Sequence, residues 1–129
     1  MKLLLDTPTI LWWWASPDRL SPAALDKLSH PESEIFISSV SIGEMIWRQK
    51  NKALTLPDGM WEELSEHLAA ERWVELPLRI AHTVQTSQFE NGAQDPFDTL
   101  LAAQASVEKM KLVTPDPAFK SLPGVSVLW

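Results

Sequence analysis

Residues 2–14 read KLLLDTPTILWWW and place a strand, an acid and a helix in direct succession. Residues 3–5 are all leucine, and a short continuous apolar run is typical of a strand that is buried on both faces. Pro8 stands where the first turn of a helix accepts a residue without an amide hydrogen, and apolar residues follow it. The stretch therefore predicts a strand that leads directly into a helix, with Asp6 at the carboxyl end of the strand.

The same succession of strand and helix recurs along the rest of the chain. Further strands are predicted at residues 34–39, 73–77, 111–116 and 125–129, where β-branched and aromatic residues are common. Helices are predicted to begin near residues 21, 41, 58, 78 and 96. Apolar strands that alternate with helices indicate an α/β fold whose mostly parallel, five-stranded sheet is covered on both faces.

Polar residues at the predicted helix starts are typical of caps. Ser41 with Glu44 three residues later has the spacing of a capping box. Asp58 is predicted to cap a helix with an apolar stripe from Trp61 to Leu68. Local patterns alone therefore assign several acidic side chains to helix termini.

Composition limits the class of protein. A chain of 129 residues fits a single domain spanning residues 1–129, and 45% hydrophobic with 22% charged residues is an ordinary soluble composition. The absence of cysteine excludes disulfides and thiolate metal sites, and a net charge of −6 argues against a broad basic face for nucleic acid. No stretch approaches the roughly 20 apolar residues of a membrane span, so we expect a cytoplasmic protein without membrane contact.

Acids follow the predicted strands at four places in the chain. The carboxyl ends of parallel strands share one edge of the sheet with the N-termini of the following helices, so these acids are expected to converge there. Carboxylates that share a small site need cations, and oxygen ligands suit Mg²⁺ or Mn²⁺. Metal ions held in this way suit the attack of water on a phosphodiester. The acids concerned are Asp6, Glu44, Asp95, Asp98 and Asp116.

Each of these acids also has a purely structural interpretation. Asp95 precedes Pro96 and is favoured as a helix N-cap. Asp98 is either the partner of that cap or a ligand, and Asp116 is either a ligand or the cap of a turn. The common placement of the acids gives weight to the metal site, whereas the three histidines show no ligand spacing.

Four segments in order resemble the PIN domain family, and the branch that they resemble is the VapC-type toxins of prokaryotic toxin–antitoxin systems. The segments are LLLDT at the start, SSVSIGEMIW in the middle, then DPFDTLLAAQA, and LVTPDPAF with PGVSVLW at the end. They run from the first predicted strand to the last residue, so the resemblance covers essentially the whole chain.

The resemblance implies a three-layer α/β/α sandwich and a Mg²⁺- or Mn²⁺-dependent ribonuclease. It implies that Asp6, Glu44, Asp98 and Asp116 are the catalytic, metal-holding acids. Asp95 matches a position that is also commonly acidic in this branch, as a supporting or capping group. An RNA substrate, a small antitoxin protein that blocks the site, and a homodimer are the partners that the resemblance implies.

The chain departs from the family pattern around the expected site. Pro8 stands where this branch usually has histidine, and a further histidine and two basic residues are missing at positions 93, 94 and 99. These groups are suited to contacting phosphate, so an alternative is a catalytically weak binding module that keeps the fold and a protein partner. An aspartyl phosphatase is a weaker alternative, because that chemistry needs an acid where Pro8 stands.

Other polar and aromatic residues are candidates for supporting roles. Thr7 and Ser39 are predicted to support or cap near the acids, and Arg48, Lys50 and Thr114 are candidate phosphate contacts. The run of Trp12, Trp13 and Trp14 can stack bases or line a protein contact, but consecutive helical positions point about 100° apart. We therefore expect at least one of these indoles in the core.

Overall fold

The computed structural model describes residues 1–89 and 95–129 and contains one parallel sheet. The strands lie side by side in the order β3-β2-β1-β4-β5, and every neighbouring pair is parallel. The predicted α/β class and the five-stranded sheet are confirmed. The strands are β1 (Lys2–Leu5), β2 (Glu34–Ser38), β3 (Val74–Leu76), β4 (Lys111–Val113) and β5 (Ser126–Leu128).

Six α-helices lie in the described residues and connect these strands. Short 3-10 turns add to them at 17–19, 86–88 and 117–121. No helix in the described part of the chain has the length and apolar character to cross a membrane. The helices are α1 (Thr7–Ala15), α2 (Pro22–Ser29), α3 (Ser39–Lys50), α4 (Leu64–Glu71), α5 (Ile80–Gln85) and α6 (Pro96–Glu108).

The β1 leucines divide the core into two layers. Leu3 and Leu5 pack on one face of the sheet with apolar residues of α1, α2 and α3, while Leu4 packs on the other face with α6. All three leucines are fully buried because side chains alternate across a strand and both faces are covered. This arrangement is the three-layer α/β/α sandwich expected from the sequence.

The strand order has its topological switch point between β1 and β4. From β1 the chain builds outward through β2 to β3, and then crosses back to place β4 and β5 on the other side of β1. Ligands of open parallel sheets bind outside the carboxyl ends of the strands at such a point. Asp6 directly follows β1, and Thr114 directly follows β4, so both lie at the switch point.

The predicted start of α3 is wrong by two residues. The helix begins at Ser39, and its N-cap is Ser38, whose hydroxyl accepts a hydrogen bond from the Val40 amide at 2.9 Å. Glu44 consequently lies in the second turn and forms no capping box with Ser41. The Ser38 hydroxyl also bonds to Gln104 of α6, so the β2–α3 junction is tied to the opposite layer.

The predicted cap at Asp58 is also wrong. The α4 helix begins at Leu64, and turns occupy residues 58–63 before it. Trp61 and Leu68 nevertheless pack against the first core layer, as the apolar stripe predicts. The packing decides the position of this segment, since its helix has no side-chain cap.

The three consecutive tryptophans are all half-buried. The Trp12 ring lies 5.8 Å from that of Trp129, and the Trp13 and Trp14 rings lie 6.0 Å and 5.6 Å from that of Trp73. All three pack against the first core layer. They therefore have a structural role, which removes them as the leading candidates for base stacking.

Candidate metal centre

Asp6 is held in place by the first turn of α1. Its side chain caps the helix, and its Oδ1 accepts hydrogen bonds from the Thr9 amide at 3.0 Å and the Thr9 hydroxyl at 2.6 Å. The Thr9 hydroxyl also lies 2.9 Å from the Val113 carbonyl of β4. Only 3% of Asp6 is exposed, so the carboxylate is buried at the junction of β1, α1 and β4.

Glu44 reaches the same place from α3. Its Oε1 accepts a hydrogen bond of 2.7 Å from the Thr7 hydroxyl, and its Oε2 accepts one of 2.8 Å from the Arg48 Nε. Arg48 follows one turn later on the same helical face, and a second of its nitrogens lies 2.8 Å from the same Oε2. Both oxygens of this buried carboxylate therefore have donors from the chain itself.

Asp95 and Asp98 have different roles at the start of α6. Asp95 is the N-cap, and its Oδ1 accepts from the amides of Phe97 at 2.8 Å and Asp98 at 3.4 Å. Its Oδ2 lies 3.4 Å from Arg48. The Asp98 carboxylate receives no hydrogen bond from any described residue, whereas the Asp98 amide is one of the two that Asp95 caps.

Three of the acids form a compact cluster. Glu44, Asp95 and Asp98 each offer a carboxylate oxygen, and these atoms all lie within 4.8 Å of one another. Asp116 stands at the start of the turn after β4, where its Oδ1 accepts from the Ala118 amide at 2.9 Å. Its negative charge and that of Asp6 both act on Asp98. The structure thus brings Glu44, Asp95 and Asp98 together, and the charges of Asp6 and Asp116 act on Asp98 from nearby.

Burial and mutual repulsion oppose ionisation at this site. The pKa of Asp98 is raised to about 7, first by burial and then by the charges of the other four acids. The pKa of Asp6 is raised to about 6 by burial, which outweighs hydrogen bonds from Thr114 and Thr9 that lower it. One arginine is not enough to neutralise the group, so the site has a deficit of positive charge.

The donor set fits a hard divalent cation. The site contains carboxylate oxygens and no nitrogen or sulfur ligand among the described residues, and such oxygens suit Mg²⁺ or Mn²⁺ better than softer metals. A bound cation would remove the repulsion that raises the pKa of Asp98. The oxygen ligands and the excess of negative charge therefore both favour a divalent cation at this cluster.

Three residues that were predicted to support the acids or contact phosphate have other surroundings in the structure. Ser39 accepts a hydrogen bond from the Leu78 amide at 3.1 Å and so joins α3 to the segment after β3. Lys50 follows Glu44 by six positions, which turns it to another side of α3. Thr114 is 1% exposed and bonded to Asp6, so it supports that acid and is not placed to contact phosphate as predicted.

Thr9 and Thr7 are the supporting residues closest to the acids. Thr7 was a predicted supporting residue, and the structure assigns it to Glu44. Thr9 was missed, although its position three residues after Asp6 matches the geometry of an N-cap and its N3 amide. Positions 93 and 94, where the chain lacks the family's histidine and a basic residue, lie outside the described residues.

Comparisons with known proteins agree with this geometry. The family model of the PIN domain matches residues 3–125. Ribonuclease VapC22 of Mycobacterium tuberculosis is 33% identical over 124 residues, which cover 92% of this chain and 90% of that protein.

Solved structures with the same fold come from VapBC proteins. The crystal structure of VapBC2 from Rickettsia felis, bound to a DNA fragment from its promoter, superposes with a TM-score of 0.74 at 18% identity, over 98% of this chain and 97% of that one. DNA-bound VapBC from Salmonella typhimurium gives 0.73 at 19% identity, over 98% and 96%. At these identities the structures show the fold alone. Together with the family match and the sequence relative, they show that the chain belongs to the PIN domain family and is of the VapC type.

Proposed function

We propose that this protein is a metal-dependent endoribonuclease and the toxin of a VapBC-type toxin–antitoxin pair. The observation that carries the proposal is the cluster of Glu44, Asp95 and Asp98 beside Asp6 at the switch point of the sheet. The relative named Ribonuclease VapC22 supports RNA as the substrate, because it matches nearly the whole chain.

Asp6, Glu44, Asp98 and Asp116 are the residues that would hold Mg²⁺ or Mn²⁺. The bound cation would lower the pKa of a water molecule for attack on a phosphodiester and offset the charge of the phosphate. Among the described residues, none donates a hydrogen bond to the Asp98 carboxylate, which makes Asp98 the acid most available to a ligand. Asp95 has a positioning role in this proposal, because its cap sets the first turn of α6 on which Asp98 stands.

The remaining polar residues prepare the acids before any ligand arrives. Thr7 and Arg48 hold the two oxygens of Glu44, and Thr9 holds Asp6 against β4. Such supporting bonds orient ligands and reduce the reorganisation required during reaction.

The partners in this proposal are a small antitoxin and a second copy of the chain, in the cytoplasm. An exposed apolar surface supports a protein partner: on α5, Ile80 is 83% exposed and Val84 is 63% exposed. The opposite side of α5 is attached to the protein by His82, which is fully buried and whose Nε2 lies 2.8 Å from Glu108 of α6. Ile80 and Val84 are four positions apart and so lie on one face of α5, where two adjoining exposed apolar side chains suit a protein contact.

An RNA cleavage assay tests the proposal. We expect cleavage by the wild-type protein with Mg²⁺ or Mn²⁺, none with a chelator, and none by Asp98→Asn. Asp26→Asn is the matched control, since Asp26 is exposed on α2 away from the switch point. Cleavage that persists unchanged in Asp98→Asn would show that the acid cluster is not the site.

A second candidate is a protein-binding module with little catalysis. It is favoured by Arg48, which already occupies oxygens of Glu44 and Asp95 and so competes with a metal ion. Absence of cleavage with either metal, together with an unchanged melting temperature when the metal is added, would favour this candidate.

A further inference from the structure

We propose that a cleft beside the acid cluster is a subsite for one unpaired nucleobase of RNA, an inference that rests on the proposed function. The cleft measures about 590 Å³, and among the described residues it is lined by Trp47, Asp95, Pro96 and Phe97. Pockets of this size accommodate small organic groups. Its walls are an indole and a phenyl ring whose centroids lie 5.9 Å apart at 50°.

The position of Trp47 separates it from the other indoles. The chain has seven tryptophans, all within the described residues, and Trp47 is the exposed one at 53%. Trp12, Trp13 and Trp14 pack on other indoles beside the first core layer, whereas Trp47 among the described residues has one ring contact, the tilted one with Phe97. An indole left in water carries a large apolar surface that a flat ligand can cover.

The cleft adjoins the site of the proposed chemistry. Asp95 belongs both to the wall of the cleft and to the carboxylate cluster with Glu44 and Asp98. Arg48 follows Trp47 in α3 and bonds to Glu44 and Asp95. A base stacked on Trp47 would therefore be next to the nucleotide whose phosphate lies at the acids.

Charge favours stacking as the means by which this protein holds RNA. The net charge is −6, and the nearest cation, Arg48, is already paired with two carboxylates. Stacking on an aromatic face does not depend on net charge, and it accepts every base. A base inside a duplex is already stacked and paired, so the cleft selects RNA that is single-stranded beside the cleaved bond.

Binding of a labelled RNA oligonucleotide tests the subsite. The Asp98→Asn protein is used with Mg²⁺ so that the RNA stays intact, and the dissociation constant is measured by fluorescence anisotropy. Adding Trp47→Ala to this protein is expected to weaken its binding of single-stranded RNA by about 5- to 150-fold, the range for loss of one stacked base. Trp47→Phe should keep most of the affinity, and a duplex of the same sequence should bind weakly to every variant.

Leu25→Ala is the matched control, because it removes an exposed apolar side chain from α2, to which no role is assigned. Unchanged affinity for single-stranded RNA in Trp47→Ala would overturn the subsite, as would equal binding of duplex and single strand by the parent protein. A Trp47→Ala protein that binds RNA normally but changes from dimer to monomer in sedimentation would identify the cleft as an interface between copies.

Cleavage assays of the wild-type and Trp47→Ala proteins distinguish a failure of the subsite from a failure of the proposed ribonuclease function. If the wild type cleaves RNA and Trp47→Ala cleaves it with the same kcat/KM, the subsite is wrong and the proposed function stands. If the wild type cleaves no RNA with Mg²⁺ or Mn²⁺, the proposed function is wrong and the subsite falls with it.

Discussion

At the scale of single residues, the site consists of acids that differ in how many donors they have. Asp6 and Glu44 accept hydrogen bonds from threonine and arginine side chains, and Asp95 accepts hydrogen bonds from backbone amides. Asp98 has none from the described residues and has the higher of the two raised pKa values. Residues of one chemical type, three positions apart in the sequence, therefore have different roles.

Substitutions at Asp95 and Asp98 should separate stability from activity. Asp95→Ala removes a cap that satisfies two amides, so it should lower the free energy of unfolding by about 0.5–2 kcal/mol and reduce cleavage less than Asp98→Asn does. Asp98→Asn should abolish cleavage without loss of stability. Chemical denaturation and an RNA cleavage assay measure the two effects. The reverse ranking would mean that the roles are exchanged.

Arg48 is the cation that the chain itself supplies to the site. Arg48→Gln leaves the buried Glu44 carboxylate without its charged donor, so the metal-free protein should lose about 1–3 kcal/mol of stability. The same change removes a competitor for two ligands, so Mn²⁺ should raise the melting temperature more in the variant than in the wild type.

Thermal melting with and without Mn²⁺ measures both effects of Arg48→Gln. Lys50→Gln is the control, because Lys50 is exposed at the end of the same helix. A smaller metal-induced shift in Arg48→Gln would show that Arg48 assists the metal and does not compete with it.

At the scale of elements, the site depends on a junction between β1, α1 and β4. The Thr9 hydroxyl bonds to Asp6 at the start of α1 and to the Val113 carbonyl at the end of β4. Gln104 of α6 similarly bonds to Ser38, which caps α3. These side chains join elements that are far apart in the sequence and so set the positions of the acids.

Thr9→Val should test the first of these junctions. Valine keeps the volume but loses the hydroxyl, whose single proton is shared between Asp6 Oδ1 and the Val113 carbonyl. A buried acceptor therefore loses its donor, at a cost of about 1–3 kcal/mol. Thr9→Ser keeps the hydroxyl and should retain more of the stability and the cleavage rate. A larger loss in Thr9→Ser than in Thr9→Val would assign the role of Thr9 to its methyl group.

At the scale of the whole molecule, an acidic chain concentrates negative charge at one edge of its sheet. The pKa values of about 6 for Asp6 and about 7 for Asp98 lie above the usual value of 3.8. The folded metal-free protein therefore binds protons more tightly than the unfolded chain, and the two protonated carboxyls contribute stability that is complete below pH 3.8. That contribution is lost as the pH rises through about 6 to 7.

The pH dependence can be isolated with Asp98→Asn, since asparagine stays neutral. In a chelator the variant should be more stable than the wild type at pH 8, and the difference should shrink towards pH 5. Denaturant unfolding at each pH measures the difference, and Asp26→Asn provides the control. A difference that does not change between pH 5 and pH 8 would contradict the raised pKa of Asp98.

The sequence by itself determined the class of fold, the family and the set of acids. Apolar runs such as residues 3–5, with helices between them, strongly favour a parallel sheet that is covered on both faces. In such a sheet, acids at the carboxyl ends of the strands lie at one edge. Helix starts were less secure: Pro96 marks α6 clearly, whereas Ser38, Ser39 and Ser41 compete as caps of α3.

Only the tertiary structure decided which groups meet around those acids. The Thr7–Glu44 bond, the Arg48–Asp95 contact and the exposure of Trp47 join or separate residues that local patterns treat independently. They depend on how α1, α3 and α6 are rotated against the sheet, and that rotation is set by packing over the whole core. Local propensity acts over a few residues, so it cannot specify contacts between residues that lie tens of positions apart.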